Sequence, residues 1–192
     1  MQEMLRMILV LSLICGLSGL TLAAVRQATA PRIEEQVMTY VQGPALDQIF
    51  TDNDNNPVAD RKTFDLGTGP VTVFPAIREG RLTGVAFETF GKGYGGDIGV
   101  MVGFSLADGS LAGIGITTLK ETPGLGSRVV EPEFRDQFTG HSPESIALQQ
   151  QGGDIAAIAG ATISSTGTVA AVNDAVRIFN QLKDKLPGTW GS

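Results

Sequence analysis

Thr162 stands in the run Ala159-Gly160-Ala161-Thr162-Ile163-Ser164-Ser165, a hydroxyl set among residues almost too small to hide it. Gly152, Gly153, Ala156, Ala157, Ala159, Gly160 and Ala161 precede it, and Ser, Thr and Gly residues follow at the opening of a patterned helix. With so few side chains in the way, a modifying enzyme or a planar cofactor can approach this backbone closely. The chemistry such a hydroxyl offers is esterification, which makes Thr162 a candidate attachment point. A helix start also favours a phosphate, because its unpaired N–H groups and positive dipole end stabilise an anion. The ordinary use of such hydroxyls is helix capping; Ser164 and Ser165 are the better placed for it, Thr162 standing slightly early.

A second candidate lies upstream in Lys120-Glu121-Thr122-Pro123-Gly124-Leu125-Gly126. Here a proline-fixed turn is combined with glycines that leave backbone N–H and C=O groups exposed. Taken alone it reads as a surface turn.

The two motifs, in this order, resemble the FMN-binding domain family. Its signatures are (Ser/Thr/Ala)-Gly-Ala-Thr-x-(Ser/Thr) and Glu-Thr-Pro-Gly-Leu-Gly. In that family a flavin transferase esterifies the threonine with the phosphate of FMN. The resemblance therefore implies covalent FMN on Thr162, with Gly160, Ala161, Ser164 and Ser165 beside it. It also implies that Glu121, Thr122, Gly124 and Leu125 meet the flavin, the loop at the pyrimidine edge of the isoalloxazine and Leu125 over the ring. Lys120 would attract a reduced, anionic flavin. Within the family the chain is similar to G subunits of Rnf-type ion-translocating ferredoxin:NAD oxidoreductase complexes, and to the longer C subunits of sodium-pumping NADH:quinone oxidoreductases. The implied partners are the other integral and peripheral subunits of such a complex and the flavin transferase. The implied role is an electron carrier rather than a self-contained enzyme, since no sequence resembling an iron–sulfur or nicotinamide site is present. Two positions depart from the family: Ala159 replaces a frequent Ser or Thr, and Ala156 stands where the family has Asp, the nearest acid being Asp154. Ala156 keeps open a cofactor-free assembly or ligand-binding module, and a flavin relay in another electron-transfer chain is a third reading.

Residues 7–25 carry no charge and, at ~1.5 Å per residue, approach a bilayer core of about 30 Å. They read as a retained transmembrane anchor rather than a cleaved signal peptide, because the run is long for a signal and Arg26 follows directly. Arg6 precedes the run while Arg26 and Arg32 follow it, so charge does not fix orientation. The resemblance implies the bacterial cytoplasmic membrane, with the domain on its outer, periplasmic face. Cys15, the only cysteine, lies within the run and provides neither disulfide nor thiolate site. The 192 residues carry 14 Lys+Arg against 20 Asp+Glu, a net charge of -6 that argues against nucleic acid as a partner. The organisation expected is an anchor over 1–26, a helical connection and loop over 27–60, and an FMN-binding domain over 61–192.

The site must be positioned by an α+β domain, an antiparallel sheet of hairpins with helices on one side. Residues 31–50 carry Ile33, Val37, Tyr40 and Val41 at helical spacing, interrupted at Gly43-Pro44. Asp52, Asp54 and Asn56 imitate the start of a calcium loop but lack its glycine and its closing glutamate. Strands are expected over 71–77 and 82–90, joined by Glu79-Gly80-Arg81. A second pair, 98–106 and 111–118, is joined by Asp108-Gly109. Gly91-Lys92-Gly93-Tyr94-Gly95-Gly96 spells a dinucleotide motif, but period-two residues follow it instead of a helix, so it reads as a flexible connection. Tyr94 remains within reach of a bound ring. Residues 131–138 are expected to form a short helix and 146–148 a last strand, with His141 on the surface. Val169, Val172, Val176, Phe179 and Leu182 stripe a helix that starts near Ser164 or Ser165, runs to Leu186 and is closed by Pro187-Gly188.

Overall fold

The computed structural model describes residues 1–67, 69–144, 146–186 and 188–190, which leaves the expected closure at Pro187 outside the described residues. Two compact units emerge, Met1–Thr39 and Tyr40–Ser192. The first is built on helix α1, Gln2–Val37, none of whose residues is buried. It is the one described helix long and apolar enough to cross a membrane, with a mean hydropathy of 2.4 in its most apolar stretch. Pro31, in the region where a separate helix is expected to begin, instead lies inside α1. Met38–Gln42 form a π-helical turn, and the short helix α2, Gly43–Ile49, opens with Pro44, whose missing N–H costs nothing in a first turn.

The second unit is a five-stranded antiparallel meander: β1 Lys62–Asp65, β2 Pro70–Arg78, β3 Arg81–Lys92, β4 Asp97–Ser105 and β5 Leu111–Thr118, in the order β1-β2-β3-β4-β5. Both expected hairpins are present. Glu79 and Gly80 turn the first with φ of 52° and 73°, the double left-handed conformation that suits the twist of paired strands. The short edge strand β1 was not legible, since it contributes only four mostly exposed residues.

Alternation along the strands sends two sets of side chains to opposite faces. Val73, Val85, Phe87, Val100, Val102 and Phe104 meet helix α4, Thr162–Leu182. There Phe104 and Phe179 stack with ring centroids 4.3 Å apart and planes within 3°. Phe74, Ala86 and Met101 point the other way, onto Ala45, Leu46 and Ile49 of α2. The sheet is thus covered on both faces, correcting the expectation of helices on one side. Helix α2 falls within the 31–50 stretch expected to be helical, but three buried residues give too little local signal to show that it packs on the sheet.

Between β5 and α4 the chain forms a 3₁₀ turn at Gly126–Val130, helix α3 at Pro132–Arg135 and a further 3₁₀ turn at Asp136–Phe138. The strand expected over 146–148 is reduced to a single parallel bridge, Leu148 to Ile155. Helix α4 ends at Leu182 and continues as a 3₁₀ turn to Lys185.

Helix α4 crosses β3 backbone to backbone. A Cβ on Gly91 would lie 1.8 Å from the Gly167 carbonyl oxygen, and one on Gly167 would lie 2.4 Å from that of Lys92. The Thr89 hydroxyl donates to the Ala171 carbonyl oxygen at 2.8 Å beside this crossing. Gly91→Ala must therefore push the helix off the sheet, and a loss of at least about 2 kcal/mol is expected. Thermal unfolding of the variant checks this; an unchanged Tm would mean that the crossing is not close in solution.

Candidate functional site

The start of α4 differs from the capping scheme read in the sequence. Ala161 is the N-cap residue, with φ −133° and ψ 41° and no side-chain cap, and Thr162 is the first helical residue. Gly160, at φ 79°, turns the chain into this start through a conformation that suits glycine. Ser164 and Ser165 do not cap. Ser165 is buried, accepts the Ile158 N–H at 3.0 Å and donates to the Ala161 carbonyl oxygen at 3.0 Å, tying the preceding loop to the helix. Ser164 donates instead to the Glu121 carboxylate at 2.5 Å. The first backbone bond of the helix runs from the Ser165 N–H to the Ala161 oxygen. The N–H groups of Thr162, Ile163 and Ser164 thus belong to the unpaired first turn, and the Thr162 side chain is exposed beside them.

Glu121 holds the site together. It is 8% exposed; one oxygen accepts the Gly95 N–H at 2.8 Å and the other the Ser164 hydroxyl. Burial pushes its carboxyl up, but hydrogen bonds from Ser164 and from the backbone at Gly95, Tyr94 and Gly96 outweigh burial and hold it below the usual carboxylate range. The carboxylate thus joins α4, the β5–α3 loop and the β3–β4 turn through hydrogen bonds. Residues 93–96, expected to be a flexible connection, form a tight turn closed by the Gly93 N–H on the Gly96 oxygen at 2.8 Å and pinned by Glu121. Gly126 makes room for the junction: a Cβ there would lie 2.4 Å from the Glu121 Oε2 and 2.5 Å from the Ser164 Oγ.

Around this junction opens a groove of about 550 Å3. Tyr94, Thr122, Leu125 and Ile163 contribute its larger side chains, and Gly160, Ala161, Thr162, Ser164, Glu121 and Gly126 complete it. Seven of the nine residues singled out from the sequence therefore share one groove. Gly124 sits in the exposed turn beside it, its N–H donating to the Ser127 Oγ at 2.9 Å, and Ser165 is buried behind it. Lys120 is exposed and does not line the groove. Tyr94, 75% exposed, and Leu125, 48% exposed, offer apolar surface to whatever enters. Tyr94, Gly126 and Ile163 were missed as primary candidates; the glycine spacing around Tyr94 was the available signal.

The departure at Ala156 has a structural counterpart. Gln137 grips its backbone twice, accepting the Ala156 N–H at 2.7 Å and donating to its oxygen at 3.3 Å. Asp154 lies 2.9 Å from His141 Nε2, while Nδ1 of that ring is 2.9 Å from the Ser142 carbonyl oxygen. With its side chain 13% exposed, His141 is tucked against the loop, contrary to the surface position expected. The Ser142 carbonyl, and then Asp154, raise its pKa against the opposing effect of burial.

The exposed Thr162, at an unpaired helix start, thus lines the same open groove as Glu121, Thr122, Leu125 and Gly126 of the upstream loop. Residues 93–177 match the family described as FMN-binding domain, a span that begins in the β3–β4 turn and ends in α4. The G subunit of the ion-translocating oxidoreductase complex of Cereibacter sphaeroides is 32% identical over 93% of this chain and 85% of its own length. Its counterpart of the same description from Stutzerimonas stutzeri is 35% identical over 84% of this chain and 75% of its own. The chain belongs to the FMN-binding domain family, among the G subunits of ion-translocating oxidoreductase complexes. Its fold is shared with the C subunit of the Na(+)-translocating NADH-quinone reductase from Parabacteroides distasonis, at a TM-score of 0.52 and 22% identity over 61% of this chain and 64% of that one.

Proposed function

We propose that this chain is a membrane-anchored electron-transfer subunit of an Rnf-type ion-translocating oxidoreductase complex, carrying FMN in a phosphodiester link to Thr162. The observation that carries this reading is the convergence of both motifs on one groove, with the Thr162 hydroxyl exposed and the N–H groups of the first helical turn unpaired beside it. The residues fit the group: a phosphate ester on Thr162 lies where the helix start favours negative charge. Thr122 and the backbone of the glycine loop supply polar contacts, while Leu125 and Tyr94 supply apolar surface for a planar ring. Bound FMN supplies the redox chemistry, and the polypeptide supplies tether, orientation and electrostatics. Glu121 keeps the walls of the groove in register through its bonds to Gly95 and Ser164. Helix α1 anchors the domain in the bacterial cytoplasmic membrane, with the groove on the outer side, where a covalent link prevents loss of the cofactor. Electrons pass between this protein and neighbouring redox subunits of the complex, and a flavin transferase matures it.

Affinity purification of the full chain from membranes tests the reading. A flavin absorption spectrum together with co-purifying integral subunits is expected. A colourless chain that still brings the subunits down would favour the cofactor-free assembly module that the Ala156 departure keeps open. A flavin-bearing chain without them would assign the flavin to another electron-transfer route. Tyr94→Ala is expected to raise the fluorescence yield of the bound flavin several-fold by removing an aromatic quencher; an unchanged yield would place Tyr94 away from the ring.

A further inference from the structure

The other end of α4 carries a second recess, of about 520 Å3, lined on its apolar side by Leu82, Leu106, Phe179, Leu186 and Trp190. Twenty-one helical residues at ~1.5 Å rise separate the two ends of α4 by about 30 Å, so this recess is distinct from the Thr162 groove. The Trp190 wall is fixed rather than loose. Its indole N–H donates to the Asp60 carbonyl oxygen at 2.6 Å, its ring lies 5.8 Å from that of Phe64, and Lys62 Nζ sits 5.2 Å over its face while donating to the Thr189 carbonyl oxygen.

The charges at the opening are unusual for an acidic chain of net charge -6. Arg81 and Lys183 line the recess and are exposed, and among the described residues neither has an acidic partner. Lys62 stands beside them over Trp190. Asp184 is the one acid in the lining. Asp108, next to the lining residue Gly109, has its carboxylate turned to the Ser110 N–H and hydroxyl. Apolar walls with a cationic opening complement a molecule that is apolar at one end and anionic at the other.

We propose that this recess binds a small soluble amphipathic anion, an aliphatic or aromatic carboxylate whose body packs against Leu82, Leu106, Phe179 and Trp190 and whose carboxylate meets Arg81 and Lys183. Nothing in the flavin reading requires this site, and it stands on separate residues.

Trp190 is the only tryptophan in the chain, so its emission reports the recess directly. The full chain in phosphatidylcholine bicelles is titrated with 6-bromohexanoate, whose bromine quenches on contact, and in parallel with uncharged 6-bromohexanol. Saturable quenching by the acid is expected, with the alcohol about tenfold weaker. In an Arg81→Ala/Lys183→Ala variant the acid should weaken by about the same factor, so that the two probes become equivalent. Both substitutions are at exposed positions, and far-UV circular dichroism confirms the fold. Quenching that rises linearly without saturation, equal affinity for acid and alcohol, or an unaffected double variant would each overturn the proposal.

Discussion

A Thr162→Ala chain, produced alongside a flavin transferase, is expected to lose all covalent flavin while remaining folded. The two effects separate because the Thr162 hydroxyl is exposed and makes no cap bond. Were Thr162 a helix cap, its removal would cost about 1 kcal/mol. At an exposed first helical position without that bond, a change within about 0.5 kcal/mol is expected. Denaturing gels viewed for flavin fluorescence, paired with urea unfolding, check both halves. Covalent flavin persisting in the variant would move the attachment point elsewhere. Lost flavin together with a fully capped helix's worth of lost stability would mean that Thr162 acts on the helix rather than on the cofactor.

The second large effect is expected at Glu121. Glu121→Ala removes the acceptor of the part-buried Gly95 N–H and of the buried Ser164 hydroxyl. Hydrogen bonds to a charged group contribute about 1.5–3 kcal/mol each, so the loss is expected to be about 2–4 kcal/mol after relaxation. Glu121→Gln keeps one acceptor oxygen and should cost less. The carboxylate also gives a pH signature. Its folded pKa lies below the ordinary value, so its contribution is complete above the unfolded pKa of about 4.3 and fades as pH falls through the folded value. Stability of the wild-type chain should therefore decline more steeply than that of Glu121→Gln on acidification below about pH 4.3. Parallel slopes would show that Glu121 is not held ionised by its neighbours.

The hairpins were readable because their signals are local. Alternation over residues 98–104 and the pairs Glu79-Gly80 and Asp108-Gly109 specify strand and turn without reference to distant residues. The two site motifs were readable for the same reason, each being a short run. Their meeting was not, since it depends on Glu121 reaching both Gly95 and Ser164, partners 26 and 43 residues away. That long-range clasp explains why residues 93–96 read as flexible: a glycine-rich turn carries no sign of the carboxylate that pins it. Ser164 and Ser165 read as caps because serine near a helix start has that use by default. The structure gives both hydroxyls tertiary partners, and tertiary contacts outweigh a local preference of about 1 kcal/mol. His141 was misplaced for a related reason, its pairing with Asp154 bridging segments that share no local pattern.

With FMN esterified to the Thr162 hydroxyl, intact-mass spectrometry of the full chain made with an active flavin transferase is expected to show a mass increase equal to FMN less one water, mapped by fragmentation to Thr162. An unmodified mass, from cells in which the same transferase labels another substrate, would contradict it.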